Sequence, residues 1–105
     1  DLAFARAMQG RCEEADSLDR AYADSLVHNR YYHHQTYTIA QTYARCGNAR
    51  EAVRWLDVTV AWGNMPLPVF ERDPFLDPIR KSPEFTGFLA RVRPQWEEAR
   101  ALLAN

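Results

Sequence analysis

The chain has 105 residues, 47% of them hydrophobic and 26% charged, which fits one small globular domain with a modest core. Thirteen basic and fourteen acidic side chains leave a formal net charge of −1, so no electrostatic excess draws the chain to phosphate backbones or anionic lipid, and nucleic acid and membrane are disfavoured as partners. No apolar run approaches the roughly 18 residues of a membrane span, and the basic-then-apolar layout of a signal peptide is missing. With only Cys12 and Cys46, the chain matches neither a disulfide-rich secreted scaffold nor a four-cysteine zinc site. The expectation is a cytoplasmic protein with free, partly buried thiols.

The start at Asp1, running directly into Leu2-Ala3-Phe4-Ala5, reads as helix interior and as part of a longer polypeptide. A first helix is expected over 2–9 and a second over 12–27, where Ala15, Leu18, Tyr22 and Leu26 share one face. Glu13, Glu14, Asp16 and Asp19 fill the early and solvated positions of that helix and favour its dipole, and Gly10 supplies the turn before it. A third helix, 32–46, carries Tyr32, Thr36, Ile39, Ala40 and Tyr43 on its packing stripe. Gly47-Asn48 closes it with a left-handed cap. The fourth, 49–62, is apolar almost all round, with Ala52, Val53, Trp55, Leu56, Val58, Val60 and Trp62, and so must be covered on more than one side.

Prolines then dominate. Pro66, Pro68, Pro74, Pro78 and Pro83 exclude long regular helix, yet Asp73-Pro74, Asp77-Pro78 and Ser82-Pro83 each join an N-cap residue to proline at a first helical position. Short helical turns are expected between 66 and 81. A last helix, 83–103, carries Phe85, Phe88, Leu89, Val92, Trp96, Ala99 and Leu103 in one stripe that runs through Pro94, which calls for a bend near Ala90 to Arg93.

Gly10 and Gly47 each precede an alanine by five residues, Ala15 and Ala52, an internal similarity at an offset close to 34 residues. The second unit, with Thr36, Ile39, Ala40, Tyr43, Ala52 and Leu56, resembles the tetratricopeptide repeat, in which small residues at Ala40 and Ala52 let two helices approach closely. Thr36 stands where that family usually has Trp, and Asn64 where it usually has Pro. The first unit is poorer, with Arg6 in the tyrosine position and Phe4 as its slipped replacement. The segment Gly63 to Leu89, above all Arg72-Asp73-Pro74-Phe75-Leu76-Asp77-Pro78-Ile79-Arg80 and Ser82-Pro83-Glu84-Phe85, resembles the ending that follows terminal repeats in many bacterial multidomain proteins.

The resemblance implies an all-α fold: antiparallel helix pairs of a tetratricopeptide-like right-handed superhelix over 1–64, with a Pro-rich cap and a final helix over 65–105. The cap is expected to lay Phe75, Leu76, Ile79, Phe85 and Leu89 on Trp55, Val58 and Trp62. The implied role is non-catalytic: protein–protein interaction or scaffolding at the end of an array in a larger signalling or regulatory protein, binding a protein or peptide, or else a structural cap that associates with a second copy and has no groove.

His34, Tyr37, Gln41 and Arg45 fall on a second stripe of the third helix, about 140° from the packing stripe at about 100° per residue, with Tyr31 at its edge. Their mixture of cationic, amide and aromatic groups suits recognition, and these five are the expected partner contacts. A metal site on His28, His33 and His34 is disfavoured, because two ligands of one metal usually sit at i and i+4. Glu13-Glu14 and Glu97-Glu98 read as solvated neighbours, and no nucleophile, base and orienting group assemble from the spacing. No catalytic residue, metal or cofactor is expected.

Overall fold

The computed structural model describes residues 1–26, 33–63 and 66–104, and these form helices and their connecting turns with no strand among them. In chain order the elements are α1 (Leu2–Met8), α2 (Cys12–Leu26), α3 (His33–Arg45), α4 (Ala49–Ala61), α5 (Leu67–Arg72), a 3₁₀ helix (Pro74–Ile79) and α6 (Pro83–Ala104). The expected elements all appear, each boundary within a residue or two.

Helices α1 and α2 form one hairpin and α3 and α4 another, and α1 also packs against α3. The two hairpins turn by the same device. After α1 the N–H of Gly10 donates to the Ala7 carbonyl (3.0 Å) and that of Arg11 to the Arg6 carbonyl (2.9 Å); after α3 the N–H of Gly47 donates to Ala44 (2.9 Å) and that of Asn48 to Tyr43 (3.0 Å). Both are paired 6→1 and 5→2 bonds that satisfy terminal carbonyls, and they require a left-handed residue. Gly10 at φ 78° and Gly47 at φ 74° supply it. The correspondence extends into the packing: Ala3 and Ala40, Ala7 and Ala44, and Ala15 and Ala52 are all buried, so the small residues sit where each hairpin closes.

The core lies between the second hairpin and the ending. Ile39, Ala40 and Tyr43 from α3 and Val53, Trp55 and Leu56 from α4 join Leu67, Phe70, Leu76, Ile79, Phe85, Phe88 and Val92 in one buried cluster. Phe70 and Phe88 meet edge to face at 5.2 Å between ring centroids. The Thr36 hydroxyl pairs with that of Thr59 at 2.8 Å, joining α3 to α4 by a satisfied polar contact.

The ending packs on the second hairpin, but not with all the contacts expected of it. Phe75 packs edge to face on Phe4 of α1, at 5.1 Å, rather than on α4. Trp62 at the end of α4 is 54% exposed. Asp73 accepts from the Phe75 N–H at 2.9 Å and Ser82 Oγ from the Phe85 N–H at 3.2 Å, the two N-cap roles expected of them. Asp77 starts no helix of its own, because Pro78 lies inside the 3₁₀ helix that begins at Pro74. Helix α6 continues through Pro94. The carbonyl that proline leaves without a donor belongs to Ala90, an exposed residue. Beyond Trp96 the apolar stripe runs clear of the core, with Leu102 and Leu103 exposed.

The cysteines are not free. Cys12, the first residue of α2, and Cys46, just past α3, form a disulfide between Cα atoms 5.7 Å apart and 34 residues apart in sequence. In stacked hairpins the turns of successive units are neighbours. Each cysteine flanks its hairpin's glycine, so the turns that superpose the two hairpins also bring the sulfurs together.

Candidate functional site

The recognition stripe of α3 is built from residues four apart, and the structure divides it. Tyr37 and Gln41 are half-buried and turn toward the ending, where both donate to one carboxylate oxygen: the Tyr37 hydroxyl to Asp73 Oδ2, and Gln41 Nε2 to the same atom at 2.7 Å. The Tyr37 ring also lies 6.0 Å from that of Phe70. Burial, then the bond to Asp73, raises the Tyr37 pKa far above its ordinary value, so the hydroxyl remains a donor. Tyr37 was expected to face away from the packed surface and stay available; its hydroxyl is instead committed within the chain. Arg45, at the last turn of α3, is exposed. His34 lies in the first turn of α3, and Tyr31, like His28, lies outside the described residues.

Asp73 is the hub that the sequence did not disclose as such. It was legible as an N-cap, and its Oδ1 plays that part for Phe75, but its Oδ2 reaches across to α3. Arg80 locks the same corner. Its guanidinium donates to the carbonyls of Phe70 (3.2 Å), Glu71 (2.9 Å) and Asp73 (2.7 Å), while Nε donates to Asp77 Oδ1 (2.9 Å). One planar fork thus satisfies the carbonyls that the end of α5 leaves open.

On the opposite side of α3, a depression of about 400 Å³ lies between α2 and α4, with Tyr43 and Trp55 among its walls and Asp19 and Glu51 at its sides. Tyr43 donates to Asp16 Oδ1 at 2.6 Å, and Arg20 holds both oxygens of Asp16 at 3.0 Å. The Tyr43 bond, ahead of Arg20, keeps the Asp16 carboxyl below its usual pKa, with burial opposing.

Asp19 departs most from the sequence reading. Assigned to a solvated position, it is 1% exposed, and neither carboxylate oxygen has a hydrogen-bond partner among the described residues. Burial, then the nearby Asp16, pushes its pKa up to about 7. The signal was in the repeat itself: at the spacing that matches Gly10 to Gly47, Asp19 corresponds to Leu56, which is wholly buried. Among the described residues no group of three or more His, Cys, Asp and Glu could hold a metal ion, and no helix is long and apolar enough to cross a membrane.

Comparisons with models of protein families, with curated proteins and with solved structures give no match to this chain.

Proposed function

We propose that the chain is a non-catalytic protein-interaction or scaffolding module, the closing part of a tetratricopeptide-type array within a larger signalling or regulatory protein. The observation that carries this reading is the equivalence of the two hairpins: the same glycine-centred turn, with alanines buried at matching positions, followed by an ending that lies on the second hairpin. Repeats of this kind expose an extended face for a peptide or partner helix. Among the described residues of the α3 stripe, Arg45 is the group left in solvent to hold a carboxylate.

Selection of a random displayed-peptide library against the immobilised protein tests the reading. An enriched consensus that binds wild type and loses at least tenfold in affinity to Arg45→Ala, with an unchanged melting temperature, supports it. Failure to enrich any consensus would remove it.

The second reading, a structural cap that self-associates and has no groove, is favoured by the commitment of Tyr37 and Gln41 to Asp73. Sedimentation distinguishes the two, since a concentration-dependent dimer that selects no peptide fits only the cap.

The compartment follows the thiols. A cytoplasmic setting rested on free cysteines, and the Cys12–Cys46 bridge supports an oxidising compartment instead. Thiol titration of the protein taken from its native source tests this: no reactive thiol is expected, and two would restore the cytoplasmic reading.

A further inference from the structure

Residues 73–75 of the ending cross both hairpins on one face. On α3, Tyr37 and Gln41 donate to Asp73 Oδ2; two residues on, the Phe75 ring meets Phe4 of α1 edge to face, at 5.1 Å between centroids. At the spacing that matches Gly10 to Gly47, Phe4 corresponds to Gln41. The ending therefore lays a carboxylate and an aromatic ring on equivalent positions of two successive helices, as a ligand bound across a repeated face would.

These contacts lie at the surface, while the ending is anchored deeper. Phe4, Tyr37, Gln41 and Asp73 are half-buried and Phe75 is 38% exposed, whereas Leu76 and Ile79 of the same 3₁₀ helix are buried in the core cluster. The main chain at this corner is held by Arg80, which donates to the Asp73 carbonyl at 2.7 Å. Turning two side chains, Asp73 and Phe75, to other rotamers thus uncovers the phenol, the carboxamide and the Phe4 ring while the core stays closed. The turn gives up the bond from the Phe75 N–H to Asp73 Oδ1, which is the hurdle a partner has to exceed. What the face selects follows from its groups. Two donors converging on one oxygen select a carboxylate, the ring selects an aromatic side chain, and Asp73 and Phe75 set their separation at two residues.

Resting on the interaction reading above, we propose that the face formed by Phe4, Tyr37 and Gln41 is a docking surface for a peptide with an acidic residue two places before an aromatic one, and that the chain's own Asp73 and Phe75 occupy it until such a peptide displaces them. The bonds from Tyr37 and Gln41 to Asp73 are then an autoinhibitory contact. Apparent affinity falls in proportion to the share of molecules whose face is uncovered, so the ending tunes the binding as much as the partner does.

A fluorescent peptide with the sequence of residues 71–77, titrated against the oxidised full chain, tests the surface. Asp73→Ala with Phe75→Ala removes the built-in occupant and should bind the peptide about tenfold more tightly than wild type does. Adding Tyr37→Phe, which keeps the ring and deletes the donor, should reverse that gain, and so should replacing the Asp before the peptide's Pro by Ala. Equal binding by wild type and the uncovered variant, a gain that survives Tyr37→Phe, or no binding to either protein would overturn the proposal. If the double variant does not fold, Phe75→Ala alone, whose ring is already partly in solvent, carries the comparison with a gain of about threefold, and no gain overturns it. The displayed-peptide selection separates this proposal from the reading beneath it: a consensus that depends on Arg45 but has no acid two places before an aromatic would overturn the proposal and leave the interaction module standing.

Discussion

The two hairpins share a turn and a set of alanines but differ in what they bury. The second is enclosed: Ile39, Leu56, Trp55 and Val53 meet the aromatic side chains of the ending. The first contributes alanines, closes around a carboxylic acid with no hydrogen-bond partner among the described residues and is stapled to its neighbour by a disulfide. A repeat backbone can therefore be specified by glycine and alanine alone, while its stability depends on what lies between the helices. In the poorer unit a covalent tie substitutes for the missing core.

Removing the tie is the most severe test of that contrast. Cys12→Ser with Cys46→Ser should cost up to about 4 kcal/mol, the chain-entropy expectation for a loop of this size, and urea unfolding with and without reductant measures it. The loss should fall on the first hairpin, with α1 and α2 losing exchange protection before α4 does. Hollowing the better core comes next: Leu56→Ala, at a wholly buried site, should cost about 3 kcal/mol.

The reciprocal change has the opposite sign. Asp19→Leu should stabilise the protein by about 2 kcal/mol at pH 8 by removing a buried acid that has no hydrogen-bond partner among the described residues. Because the folded pKa of Asp19, about 7, lies above the ordinary carboxylate value, the stability that Asp19 contributes is fully present below about pH 4 and is lost as the pH rises through 7. The advantage of Asp19→Leu should therefore shrink on acidification, and thermal melts at pH 4, 6 and 8 would show it.

Two smaller effects sharpen the picture. Tyr37→Phe removes a donor to a charged acceptor while Gln41 still holds Asp73, and should cost about 1.5 kcal/mol by chemical denaturation. Gly47→Ala should cost about 1 kcal/mol through positive φ alone, since a Cβ there meets nothing within 4 Å. Gly10→Ala should match it, because the two turns are the same.

What the sequence disclosed is local. Glycine at a left-handed cap, an N-cap residue before proline, and apolar side chains three and four apart act within one helix or turn, and from them came the order of the elements and their boundaries. What it withheld depends on partners distant in the chain. Nothing near Tyr37 announces Asp73, and nothing near Cys12 announces Cys46, so the thiols read as free. Asp19 was misjudged for another reason. Charge predicts exposure on average, and that average outweighed the position matched to Leu56.

The corner held by Arg80 limits which sequences could end a helical stack in this way. Three carbonyl groups and one carboxylate converge on a single guanidinium, and the distances fit a flat group with five donors that lies over the Phe85 ring, 5.5 Å from its centroid. Lysine has the charge but no fork; its ammonium could answer one or two of those oxygens and would leave the others dry. An ending built on this plan can thus vary freely along its solvent-facing helix and hardly at all at this one position.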